Sequence, residues 1–285
     1  MSSEKSPSSA SASASSSSSY ELSKGINGLD KVILRDPRGS SAEVYLYGAH
    51  VTSWKNEQAE ELLFLSSKAI FKPPKPIRGG IPICFPQFSN LGPLDSHGFA
   101  RNRFWTIDDS PPPFLTNTPS KAFVDLILKP SEDDIKIWPH SFEFRLRVAL
   151  GSGGDLMMTS RIRNTNIDGK PFSFTFANHT YFSVIYLSTP TKIAILDHEK
   201  KRTIVLRKDG LPDAVVWNPW DKKAKAMSDF GDDEYKYMLC VEAAAIEKPI
   251  TLKPGEEWKG RLELSTVPSS YCSGQLDPKK VIQGS

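Results

Sequence analysis

The chain has 285 residues, 39% hydrophobic and 24% charged, a balance that suits one large folded domain. Lys and Arg number 36 against 33 Asp and Glu, a net charge of +3, so no overall field points to nucleic acid or to an anionic membrane; an anionic ligand would need a local cluster of cations. The 3 cysteines, Cys84, Cys240 and Cys272, lack CxxC spacing, which argues against a disulfide framework and a zinc site and for a reducing compartment.

The first residues, "MSSEKSPSSASASASSSSSY", lack the apolar centre of a secretory signal, and no run approaches the length of a transmembrane helix. Residues 1–22 are expected to form a disordered Ser-rich tail, 23–271 the folded domain and 272–285 a C-terminal tail. A transit peptide would be rich in arginine and poor in acids, whereas the early charges here are Glu4 and Lys5; a cytosolic location is expected, with the plastid as the alternative.

Strand patterning then begins. Apolar and polar residues alternate in "VYLY" from Val44, "LLFL" from Leu62 and most clearly "FEFRLRVAL" from Phe142, where Phe142, Phe144, Leu146, Val148 and Leu150 share a face and Arg145 and Arg147 point the other way. "GSGGD" reads as a turn and "LMMTSRIRNT" as the return strand of a hairpin. "PFSFTFA", "KIAIL", "TIVLR", "YMLCVEAA" and "RLELSTV" continue the pattern, and the proline stretches "FKPPKP" and "SPPPF" read as rigid loops between strands. No segment longer than about ten residues carries a helical stripe, so the predicted class is all-β, a large antiparallel sandwich with few, short helices. "DHEKKR" and "WDKKAKA" read as solvated surface.

Candidate functional residues are few. His97, in "LDSHGFARNRFW", and His179, in "FTFANHTYF", stand among aromatics, although a buried histidine bonded to a carbonyl would look the same. His50, His140 and His198 sit beside turn or charged residues and are expected at the surface, while Cys84 and Cys240 read as small core residues. Glu242, inside "YMLCVEAAAI", would be expensive to bury unless it has a partner, a cavity or an outward-facing side. Arg78 opens "RGGIPICFPQF", and Arg101 follows His97 on one loop; two guanidinium forks at one pocket would suit a phosphate or carboxylate, and cross-linking of loops to aspartates would equally account for them.

Together, "KAIFKPPKPIRGGIPICFPQF", "SHGFARNRFW", "FANHTYF", "VVWNPW" and "CVEAAA" resemble the aldose 1-epimerase, or galactose mutarotase, family, in the plant form of its glucose-6-phosphate 1-epimerase branch, from about Gly25 to about Tyr271. The resemblance implies an antiparallel β-supersandwich with a sugar cleft and an isomerase without metal or nucleotide. It implies His179 as general acid on the ring oxygen and Glu242 as base on the anomeric hydroxyl, His97 and Ser96 as sugar-binding residues, and Arg78 and Arg101 as phosphate contacts. The implied ligand is a small hexose 6-phosphate; neither nucleic acid nor a membrane is expected as a partner, and the chain is expected to be a monomer. After Val184 the family's sequence continues through a block that includes a sugar-binding aspartate; here Val184 passes straight into "IYLSTPTKIAILDHEK", so a block of strands is expected to be missing, and Asp197 is not expected to replace the lost acid. A non-catalytic phosphosugar-binding sandwich, or an inactive shortened isoform, is the alternative.

Overall fold

The computed structural model describes residues 20–112, 122–151, 153–182, 191–197 and 200–268. The Ser-rich tail up to residue 19, the C-terminal tail with Cys272, His198, part of "SPPPF" and the junction at Val184 lie outside the described residues.

The first half of the chain forms β1 (Glu21–Lys24), β2 (Asp30–Arg35), β3 (Ser41–Tyr45), β4 (His50–Lys55), β5 (Ile83–Cys84), β6 (Thr106–Ile107), β7 (Ala122–Leu128) and β8 (Phe142–Leu150). The second half forms β9 (Leu156–Asn164), β10 (Phe172–Asn178), β11 (Tyr181–Phe182), β12 (Lys192–Asp197), β13 (Arg202–Asp209), β14 (Asp213–Trp217), β15 (Leu239–Leu252) and β16 (Glu257–Pro268). Two α-helices are described, α1 (Glu132–Ile137) and α2 (Trp220–Ala226), and neither is long enough to cross a membrane.

These strands make three antiparallel sheets. The first runs β1-β2-β3-β4, the second β11-β15-β10-β5 with β14 also on β15, and the third β12-β13-β16-β9-β8-β7-β6. The hairpin expected around "GSGGD" is β8–β9, in unbroken register from Phe142↔Asn164 to Leu150↔Leu156. Its apolar face is buried to 1% exposure or less at Phe142, Phe144, Leu146, Val148 and Leu150, because a period of two puts every second side chain on one face. Arg145 and Arg147 leave the other face and pair with Asp108 and Asp125 at 2.9 and 2.6 Å. "LLFL" departs from the expected strand: it is extended chain with isolated bridges, such as Leu65↔Gly79, because its neighbour is the irregular loop before β5. The "DHEKKR" stretch is not wholly solvated either, since Asp197 and Arg202 are buried against each other.

The second sheet positions everything that follows. Phe172, Phe174, Phe176, Val241 and Ala243 enter the main core, whereas Cys84, Ala177 and Ala244 form a separate small cluster on the opposite face. Register sets these small side chains side by side, Ala177↔Cys84 and Ala177↔Ala244.

Candidate active site

His179 follows directly on β10, and its amide donates to the Pro82 carbonyl at 3.0 Å, which holds its backbone beside β5. Its ring stacks on Tyr181, centroids 4.7 Å apart and planes at 10°, with Trp217 edge-on at 6.1 Å. Glu242 lies on β15 opposite Val215 of β14. Because Val241 and Ala243 face the core, Glu242 must face the other way, and its Oε1 stands 3.3 Å from His179 Nε2. The two residues are 1% and 6% exposed.

Burial governs how this pair titrates. It pushes the Glu242 carboxyl up to about 8, against the pull of Arg101. It also pushes His179 well below the usual imidazole value, helped by the positive charge that His97, Arg101 and Arg78 can carry. Near neutral pH the pair therefore shares one proton, resident on Glu242, with both partners uncharged. Transfer across the 3.3 Å contact converts it to carboxylate and imidazolium, a base beside an acid.

His97 comes in from the loop after β5. It adopts a left-handed backbone, φ 68°, as does Gly98 at 67°, where an added Cβ would stand 2.3 Å from the Phe85 carbonyl. This tight turn sets the His97 ring edge-on to His179, centroids 5.3 Å apart. Its Nδ1 accepts from the Ser89 amide at 3.1 Å and lies 3.1 Å from Cys84 Sγ, so the ring hydrogen is assigned to Nε2 as a donor. Burial first, then Arg101, Arg78 and Lys223, hold His97 down to about 3, and it stays neutral.

The two arginines differ. Arg78 donates to Asp229 through Nε and reaches it again through Nη2, both at 3.1 Å, and donates to the Tyr181 hydroxyl through Nη1 at 3.3 Å. Burial alone would lower its pKa, but Tyr181 and Asp229 outweigh it and the net shift is upward. Arg101 donates through Nη2 to the Ser96 carbonyl at 2.7 Å, its Nε has no partner, and it pairs with no carboxylate among the described residues. Burial pulls its pKa down. Ser96 is itself exposed, and its recorded contact is through the backbone.

Thus His97, His179, Glu242, Arg78 and Arg101 converge. His50, expected at the surface, is instead 1% exposed, its Nε2 is 2.7 Å from the Gly79 carbonyl, and burial lowers its pKa to about 4. It begins β4 under the "RGG" loop, and the loop covers it. His140 is half-buried against Trp138 and Phe172. Cys84 and Cys240 are buried as expected, but Cys84 also touches His97. Sequence reasoning left out Tyr181 and Asp229; the period of two from His179 points to Tyr181, while nothing local marks Asp229. A separate cavity of about 840 Å³, lined by Lys31, Tyr45, Phe64 and Phe71 among others, contains none of the candidate residues.

Comparison with known proteins agrees with this architecture. The aldose 1-epimerase family model matches residues 30–185 and 183–265, two pieces that meet at 183–185. A protein of Cenchrus ciliaris that carries a provisional glucose-6-phosphate 1-epimerase name is 64% identical, covering 93% of each chain. That alignment spans 305 positions but draws on 93% of the 285 residues here, or about 265, so about 40 positions of the relative face no residue of this chain. An Escherichia coli K12 protein with the same provisional name is 29% identical over 77% of this chain and 84% of its own. Among solved structures, the Salmonella typhimurium protein YeaD, provisionally named a mutarotase, superposes with a TM-score of 0.69 at 23% identity, covering 88% of this chain and 97% of that one. The galactose 1-epimerase of Lactobacillus acidophilus NCFM superposes with a TM-score of 0.58 at 14% identity, covering 88% and 98%. On the two-piece family match and the 64% identical relative, this chain belongs to the aldose 1-epimerase family.

Proposed function

We propose that the chain is a hexose-6-phosphate mutarotase, an isomerase that interconverts the α and β anomers of D-glucose 6-phosphate. The observation that carries this reading is the His179–Glu242 pair at 3.3 Å, buried and sharing one proton, with two guanidinium groups within electrostatic reach. The names carried by the 64% and 29% identical relatives support the same substrate.

In this reading Glu242 takes the proton of the O1 hydroxyl while His179 gives one to the ring oxygen O5. The C1–O5 bond breaks and an aldehyde forms at C1. Rotation about C1–C2 turns the other carbonyl face to O5, and closure returns each proton in reverse. O1 and O5 are both bonded to C1, so an acid and a base this close together can serve both. His97, a neutral Nε2 donor, orients the sugar, with Ser96 beside it. Arg78 and Arg101 hold the phosphate; Arg101, lacking a carboxylate, has its charge free for it.

A second reading has a specific observation behind it. The family match breaks at 183–185, so a phosphosugar could bind without turnover. Anomer exchange of glucose 6-phosphate, followed by NMR saturation transfer with Glu242→Gln as control, separates the two. Exchange well above the control is expected; exchange equal to the control in a folded protein that still binds the sugar phosphate would favour binding without catalysis.

A further inference from the structure

A second cluster of cations, one of them buried, lies away from the cleft, where β13 begins. Asp197, 1% exposed, accepts from the Lys200 amide at 2.9 Å and from Arg202 Nε at 3.1 Å, so its carboxylate is used up in folding the turn. Arg202 is 6% exposed, yet its Nη1 and Nη2 reach no hydrogen-bond acceptor. Glu60 Oε2 stands 3.6 Å from Nη1, an ion pair beyond hydrogen-bond length, and already accepts from Asn56 Nδ2 at 2.8 Å. Ser40 Oγ, on a residue 1% exposed, is also without a partner. Gly154 closes over it, held by Trp54 Nε1 donating to the Gly154 carbonyl at 2.9 Å; a Cβ there would stand 2.3 Å from Ser40 Oγ.

Arg202, Ser40 and Gly154 line one cavity of about 350 Å³, together with the exposed Lys200 and Lys201, which form no ion pair among the described residues. The other acid of the wall, Glu57, is paired with Arg38 at 3.2 Å. With Asp197 matched to Arg202 and Glu57 to Arg38, two lysines remain against Glu60 among the described residues. The unmet hydrogen-bonding capacity is a guanidinium fork, a hydroxyl and two ammonium groups, nearly all of it donor capacity. A ligand that only accepts and carries negative charge satisfies such a wall, since buried donors without acceptors are costly.

We propose that this cavity is a second oxyanion site, distinct from the cleft and built for a phosphate group, either free or carried on a sugar. It shares no residue with the candidate active site, so it stands or falls independently of the proposed activity.

The test is calorimetric titration of inorganic phosphate into the Arg78→Ala/Arg101→Ala double variant, in which the cleft clamp is removed. One saturable site is expected to remain. Lys200→Glu with Lys201→Glu, two exposed changes, is expected to weaken it at least tenfold, and Ser40→Ala, which alters no charge, about fivefold. Arg202→Met removes the fork but strips Asp197 of its cation, so thermal melts accompany every variant and the lysine pair carries the decision. A parallel titration with glucose 6-phosphate identifies the source: equal affinity means that the phosphate alone is recognised, and tighter binding includes the sugar. Absence of phosphate binding to the clamp-less protein, or binding unchanged by the lysine reversals, would overturn the proposal.

Discussion

Glu242 folds at a cost in stability because its site suits proton chemistry. Its carboxyl titrates near the ordinary 4.5 in the unfolded chain and at about 8 in the fold, so the folded state keeps a proton that the unfolded chain releases as pH rises. Stability therefore falls from about pH 4.5 upward and levels off above about 8, with a full penalty on the order of 5 kcal/mol. Glu242→Gln removes the ionisation. It is expected to raise Tm by roughly 8–16 °C at pH 8, where about 4 kcal/mol of the penalty applies, at about 2–4 °C per kcal/mol, and to leave it nearly unchanged at pH 4.5; calorimetric melts at the two pH values check this. Activity has the opposite requirement. The pair needs its single proton, so kcat/KM is expected to fall about tenfold per pH unit above about 8, and a profile still rising through pH 9 would contradict the assignment. The chain alone marked Glu242 as anomalous, since an acid in "YMLCVEAAAI" needs a reason. It carried no sign of where the shared proton resides, which burial decides.

Among the elements, β11 links the two ends of the proposed substrate. Tyr181 stacks on His179 with one face of its ring and accepts from Arg78 with its hydroxyl, while Phe64 and Phe230 belong to the cluster that packs it in place. Its amide donates to the Gly80 carbonyl at 2.9 Å. Tyr181→Phe keeps the ring and loses the bond to Arg78; steady-state kinetics are expected to show KM for glucose 6-phosphate raised about 3–10-fold, as for one ordinary hydrogen bond of about 1 kcal/mol, with kcat within about twofold. A fall in kcat at unchanged KM would mean that the hydroxyl acts on the proton transfer instead. Period-two patterning was enough to read the β8–β9 hairpin and to mark β10 and β15 as strands. It misread "LLFL", and the turn residues beside His50 misplaced that histidine at the surface, because an irregular neighbouring loop covers both and no local pattern encodes which loop will lie over a strand.

At the scale of the whole molecule, the match to the family model divides at 183–185. β11 ends at Phe182 in the second sheet and β12 begins at Lys192 in the third. The resemblance assigns a sugar-binding aspartate to the absent block, and Asp197 does not take its place, being committed to Lys200 and Arg202. Grafting the corresponding segment of the Cenchrus ciliaris relative after Val184 is expected to raise kcat/KM at least tenfold, the value of about 1.4 kcal/mol of recovered sugar contact. An unchanged kcat/KM in a folded graft would mean that the cleft is already complete.

Strand identity, the all-β class and the family motifs were written into the chain, because alternation and short motifs are local properties that survive without knowledge of neighbours. So were the anomalies at Glu242 and His97. Only the tertiary structure decided that β10 and β15 register so that His179 meets Glu242 at 3.3 Å, that Asp229 takes up Arg78 while Arg101 is left without a carboxylate, and that a proton rests on Glu242 near neutral pH. Those outcomes depend on cross-strand register and on exclusion of water, both of which arise between segments far apart in sequence.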